Sequence, residues 1–203
     1  MKRVLIAMTA VLAGILGSIA APAQAFAAHP PDINGYRFWS GNLCIDGSGI
    51  DGPYYRVKYI AQLWNLRVGD TSVLGLNYRD DCAAAGYPPS RRMVIGQYKD
   101  SNSAECDLLL NPETAEYDEM LRWTNGPAIY INVANLTCIG SQARRDHEVS
   151  SAIGYLLGLQ ELNSDAYDNR VMSGTWWSMN NVPFPDSISG QRVHQIYSDV
   201  YGG

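Results

Sequence analysis

The chain has 203 residues, and 46% of them are hydrophobic, which is enough apolar material for one sizeable core. It carries 20 acidic against 15 basic side chains, for a net charge of −5. That balance argues against a nucleic-acid partner, because neutralising a phosphate backbone takes clustered Lys and Arg, whereas Arg91-Arg92 and Arg144-Arg145 are short, isolated pairs that read as solvated surface.

The first segment reads as a secretory signal over residues 1–25. Lys2 and Arg3 form a positive start, an apolar run follows from Val4 to Ile19, and Ala23-Gln24-Ala25 is an A-x-A cleavage pattern. A membrane helix is the weaker reading, because Gly14, Gly17 and Ser18 interrupt the run and Pro22 ends it. No later stretch approaches the ~20 apolar residues of a membrane span. Removing the signal takes away two positive charges and moves the net charge to −7. The expected product is a secreted, monomeric protein with no membrane attachment after cleavage.

Residues 26–35, with His29-Pro30-Pro31, read as an extended arm, and 36–203 as a single domain. "YRFWSGNLCID" (36–46) is rich in aromatic and β-branched residues and predicts a first strand. Asp51-Gly52-Pro53 opens a helix, with Pro in the first turn, and Val57, Ile60, Ala61 and Trp64 give it one apolar face. Gly69-Asp70 turns the chain. Strands are predicted over 71–78 and 91–99. The stretch 105–126 mixes signals, with turn pairs at Asn111-Pro112 and Asn125-Gly126. "PAIYINVAN" (127–135) predicts another strand, 142–159 a long helix, and 187–200 a last helix. Strand, helix, several strands and a second long helix make an α/β layered domain.

Four cysteines, Cys44, Cys82, Cys106 and Cys138, fall in the exported part. An even count there implies two disulfides, and three pairings are possible. Cys82 with Cys106 and Cys44 with Cys138 is the favoured set. A zinc-thiolate site is disfavoured, since no two cysteines stand two to four residues apart. Asn135-Leu136-Thr137 is a glycosylation acceptor pattern.

The most informative stretch is "SAIGYLLGLQELNSDAYDNRVMSG" (151–174). A metzincin protease writes its active site as H-E-x-x-H-x-x-G-x-x-H/D with a later Met-turn. Two ligands four residues apart project from one helix face, the glutamate acts as general base, and a glycine lets the chain return a third ligand. Laid on that pattern, Ser151 and Tyr155 take the first two ligand positions and Ala152 the general-base position. Gly158 is the glycine, Glu161 the third ligand position, and Met172-Ser173-Gly174 falls at the Met-turn.

The stretch resembles the metzincin superfamily, and within it the snapalysin type of small secreted neutral protease. "AIYINV" (128–133) is similar to an edge strand before the active-site helix. Trp64-Asn65 and "PFPDSISGQRVHQIYSD" (183–199) add to the likeness, which is weak between 80 and 126. The resemblance implies an α/β (α+β) fold: a twisted, mostly parallel sheet of about five strands, two long helices, a Met-turn and a small C-terminal helical subdomain. It also implies a cleft that takes an extended peptide along the edge strand, with Tyr130, Asn132, Trp176 and Trp177 as its wall.

The ligand chemistry is missing. Ser151 is a neutral hydroxyl, Tyr155 a phenol protonated at neutral pH, and Ala152 has no carboxylate. The expectation is therefore no zinc, no other cofactor and no catalysis, with a Tyr155–Glu161 hydrogen bond across Gly158 tying the turn together. A second register begins at His147-Glu148. It keeps one histidine and a base, but puts Ser151, Gly154 and Leu157 at the remaining positions, and leucine ligates nothing. A serine nucleophile paired with His147 is disfavoured, because both lie on one straight helix and no G-x-S-x-G elbow is present. His147 itself reads as a partly exposed surface residue. The rival functions are an active secreted metalloendopeptidase with atypical ligands, a structural or envelope-associated protein, and a carbohydrate binder using a flat aromatic row.

Overall fold

The computed structural model describes residues 36–38, 41–70, 72–101, 108–110, 116–120, 122–134, 140–160, 172 and 183–201. The signal segment, the arm, Glu161, Trp176, Trp177, Cys106, Cys138 and Asn135 lie outside them.

Four parallel strands form the body of the sheet: β1 (Asn42–Asp46), β2 (Gly75–Arg79), β3 (Arg92–Tyr98) and β7 (Ala128–Asn132). The order is β2-β1-β3-β7, and the antiparallel β4 (Leu108–Leu110) is added beside β7. A separate hairpin pairs β5 (Glu116–Tyr117) with β6 (Trp123–Asn125). The helices are α1 (Gly52–Tyr55), α2 (Val57–Val68), α3 (Gln142–Leu156) and α4 (Ser187–Tyr201).

Register sorts the side chains. Leu43, Ile45, Met93, Ile95, Ile129 and Ile131 fall on one sheet face and are buried together. Residues between them point the other way, as the two-residue period requires. α2 and α3 lie side by side against the sheet, and α4 packs on α2. Val193 and Tyr197 of α4 join the same core, so the C-terminal helix is part of the main body rather than the expected subdomain. Tyr197 Oη also accepts from the Phe38 backbone N–H at 3.3 Å.

α1 is capped by Asp51, whose carboxylate accepts from the Tyr54 N–H, and Pro53 sits in its first turn. The expected single helix then breaks at Arg56, which takes a left-handed conformation (φ 52°) before α2 begins. α2 ends on Gly69 (φ 79°), a left-handed cap suited to glycine. Four residues before Gly69, Asn65 works as a substitute strand. Its Oδ1 accepts from Leu76 N–H at 2.8 Å, and its Nδ2 donates to Leu76 C=O at 2.9 Å. Those two backbone groups belong to the outermost parallel strand, so Asn65 blunts that sheet edge. Trp64 beside it is buried, and its Nε1 donates to Ser150 C=O at 3.1 Å. The Trp64-Asn65 pair thus ties α2 to α3 with one residue and to β2 with the next.

Two expectations are corrected by the sheet. "AIYINV" is not an edge strand: β7 is hydrogen-bonded to β3 on one side and β4 on the other. The apolar alternation of 128–132 fits an interior strand as well as an edge one, so sequence did not separate them. The favoured disulfide set also fails, because Cys44 is bonded to Cys82 with Cα atoms 5.9 Å apart. Cys44 lies on the face of β1 away from the helices, and the turn after β2 brings Cys82 beneath it; Cys82 N–H donates to the Asp46 carboxylate in the same place.

Candidate functional site

α3 is the element that carries the motif, and it is unusual in being polar and buried at once. Ser141 caps it, accepting from Arg144 N–H at 3.3 Å. From Asp146 to Gly154 every residue is buried, including Asp146, His147, Glu148, Ser150 and Ser151. His147 is only 3% exposed, which corrects the expectation of a surface histidine. A buried polar group is costly unless it is partnered; Asp146 draws partners from another element and from α3 itself, while the Ser150 hydroxyl has none among the described residues. Arg56 forms a two-pronged ion pair with Asp146, through Nε at 3.0 Å and through Nη2, and Gln142 Nε2 adds a bond at 2.8 Å. The Arg56 guanidinium also lies 5.0 Å from the centre of the Tyr59 ring and 5.9 Å from that of Phe184. His147, Glu148 and Ser151 are each engaged as well. Burial pushes the Tyr55 phenol up to about 12, with Tyr54 and, more weakly, the Glu148 carboxylate adding to the rise and Arg145 opposing it. Arg145, read as solvated surface, instead stacks 3.9 Å over Tyr54 and donates to its hydroxyl.

Ser151 and Tyr155 stand one turn apart on α3, with Ser151 buried and Tyr155 half-buried. Ala152 is fully buried between them. The helix closes at Leu157, and Gly158 turns with φ 104° while Leu159 N–H bonds back to Gly154 C=O at 3.0 Å. A side chain at 158 is excluded twice, by that backbone conformation and because a Cβ there would sit 2.6 Å from Tyr36 C=O. Met172 is buried, and its sulfur packs on α3 so closely at Gly154 that a Cβ at 154 would lie 2.5 Å away. Five positions of the motif are therefore gathered at one end of one helix. Glu161, Trp176 and Trp177 are outside the described residues, and with them the Tyr155–Glu161 bond.

The neighbour of Tyr155 is an aromatic cluster that the sequence did not point to. Tyr36 stacks on Trp123 (4.8 Å, 19°) and meets Tyr117 edge-on (5.1 Å, 64°). Burial, a hydrogen bond with the Tyr117 phenol and the proximity of the Tyr155 phenol hold Tyr36 above its usual value. "YRFW" reads as plain strand; the signal available was the density of aromatics beside a turn, which carries no address. Arg37 C=O accepts from Trp123 N–H at 2.8 Å and holds the 36–38 segment along β6.

Tyr130 and Asn132 do not wall this region. They lie on the sheet face opposite Ile129 and Ile131, away from α3. The Tyr130 ring covers Gly96, and the Asn132 amide is spent on the Asp100 backbone, donating at 2.9 Å and accepting at 3.2 Å. The wrong face follows from taking β7 as the edge.

Among the described residues no group of three or more His, Cys, Asp and Glu is placed to hold a metal ion. In the register beginning at His147, the third ligand position is Leu157, which is fully buried in the apolar core. No helix of the described residues is long and apolar enough to cross a membrane. No known protein-family model matches the chain, and no curated protein matches it.

Proposed function

We propose that this chain is a secreted, metzincin-like protein that has lost its zinc ligands and general base, cleaves nothing, and binds an extended peptide in the former cleft. The observation that carries the reading is the packing of Met172 against Gly154, next to Ser151 and Tyr155 and just before the Gly158 turn. A chance sequence match gives no reason for a methionine many residues downstream to lie on the same turn of the helix. The mostly parallel sheet with one antiparallel edge strand, and the long helix that follows β7, are of the kind the resemblance implies.

The peptide's place follows from the two sheet edges. β2 is blunted by Asn65, which among the described residues leaves β4 as the edge for strand addition. The ligand positions supply no activated water: beside the Ser151 hydroxyl and the protonated Tyr155 phenol, Glu161 is a single carboxylate, too little to retain zinc, and the methyl of Ala152 takes no proton.

The test has two measurements on the mature, oxidised protein. Metal analysis after dialysis against trace zinc is expected to give no stoichiometric zinc; about one zinc per chain sends the assignment to the His147-Glu148 register and an active enzyme. Titration of the ¹⁵N-labelled protein with an extended Thr/Val peptide is expected to shift the amides of 108–110. Shifts confined to 75–79, or none at all, overturn the peptide reading. The aromatic cluster of Tyr36, Tyr117 and Trp123, with the Tyr36 carbonyl against Gly158, favours one competing reading, a filled site in a structural protein, and absence of any peptide shift is its signature.

A further inference from the structure

The β5–β6 hairpin stands beside the motif, joined to it by Tyr36, whose ring touches Tyr117 and Trp123 and whose carbonyl lies against Gly158. We infer that the tip of this hairpin is an interaction surface for a cationic, amphipathic polypeptide segment, one that carries Lys or Arg beside a large apolar side chain. The inference rests on the peptide-binding reading above and names the kind of peptide.

Tyr117 and Met120 are 52% and 55% exposed, an unusual display for large apolar side chains within four residues. Glu116 and Glu119 alternate with them and are exposed too. Asp118 is committed to the turn itself. Its carboxylate accepts from the backbone N–H groups of Met120 and Arg122 and pairs with the Arg122 guanidinium at 2.8 Å. Burial works against that carboxylate's charge, yet the bonds from Arg122 and Met120 hold it below its usual value. The Asp118–Arg122 pair cancels its own charge, so Glu116 and Glu119 leave the segment 116–122 net negative.

Geometry makes the ring ready for a ligand. Tyr117 is held edge-on by Tyr36 at 5.1 Å and by Trp123 at 6.4 Å, so little rotamer freedom remains to be lost on binding. A fixed, exposed phenol with a carboxylate before it and another after it attracts a cation over its face. Met120 offers a polarisable, adaptable apolar contact next to it. The same charges repel polyanions and acidic segments, in keeping with the acidity of the whole chain.

The experiment titrates ¹⁵N- and methionine-methyl-labelled mature protein with three capped peptides of about ten residues, which span roughly 33 Å when extended. They alternate Arg-Val, Glu-Val and Thr-Val. The Arg-Val peptide is expected to shift the Met120 methyl and the Tyr117 amide and to bind about tenfold more tightly than the Glu-Val peptide. Most of that margin disappears at about 0.5 M salt, where exposed charges are screened. Glu116→Gln with Glu119→Gln, and separately Tyr117→Ser, are expected to weaken the Arg-Val peptide about five- to tenfold. Equal binding of Arg-Val and Thr-Val, or indifference to both variants, overturns the inference. Shifts at 108–110 with no preference for Arg leave the cleft standing and remove this surface. Shifts at Tyr117 and Met120 with none at 108–110 do the reverse.

Discussion

α2 and α3 lie side by side in one core and obey opposite rules. α2 buries Val57, Ile60, Ala61, Trp64 and Val68 at helical spacing and turns Lys58, Gln62, Leu66 and Arg67 to solvent. α3 buries an unbroken run from Asp146 to Gly154 that contains five polar side chains. The first helix is held by what it contains. The second is held by what its neighbours lend it: Arg56 to Asp146 and Trp64 to the Ser150 carbonyl. A polar helix kept at the centre of a domain carries a desolvation cost that an apolar helix does not, and that sets α3, and not α2, apart as the candidate site.

The largest break in that contrast is expected at Arg56. Replacing it with Met leaves the 1%-exposed Asp146 carboxylate with Gln142 as its remaining named partner. The expected loss is about 3–5 kcal/mol, read as a drop in the urea midpoint. Arg56 also holds a left-handed conformation that favours glycine. Arg56→Gly is therefore expected to be about 1 kcal/mol less damaging than Arg56→Met. Two variants of equal stability exclude backbone strain at 56, and two harmless ones exclude the ion pair as a prop for α3.

The next effect is a pH dependence. The Tyr55 phenol sits at about 12 in the folded protein, against about 10 when unfolded. Between those values the folded chain keeps a proton that the unfolded chain has released, so stability falls as pH rises. The contribution is complete below pH 10 and is lost toward pH 12, roughly 2–3 kcal/mol in total. Tyr55→Phe is expected to flatten this slope. Denaturation midpoints of both proteins between pH 9 and 12 make the comparison, and parallel curves sink it.

The contrast between the helices also explains what was legible. Periodicity placed α2, α3 and α4 within a few residues, because a stripe of apolar residues decides a helix wherever it lands. The break at Arg56 was not legible: no glycine or proline stands at it, and its ion-pair partner Asp146 lies ninety residues away. Gly158 and Met172 were picked out by the resemblance to the metzincin pattern, and in the structure one takes a turn at φ 104° and the other packs on Gly154. The strand order, the disulfide partner of Cys44 and the cluster of Tyr36, Tyr117 and Trp123 depend on how distant segments meet. Short strands such as β4, β5 and β6 have too few residues for a period, so 105–126 stayed unresolved.

The smallest effects separate polar from apolar exposure on α2 itself. Asn65→Ala removes two bonds to the Leu76 backbone and reopens that edge of the sheet. The expected cost is about 1–3 kcal/mol, since a partly buried N–H and C=O lose their partners together. Leu66, three-quarters exposed one residue further on, has little to lose, and Leu66→Ser is expected to stay within about 0.5 kcal/mol of the parent. Asn65→Ala carries a second readout that stability does not. If β4 alone receives peptide because Asn65 closes β2, the variant exposes a second edge, and an extended Thr/Val peptide then shifts the amides of 75–79 as well as those of 108–110. A variant that is destabilised yet binds only at 108–110 leaves Asn65 as a prop for α2 and removes it as the reason one edge is chosen.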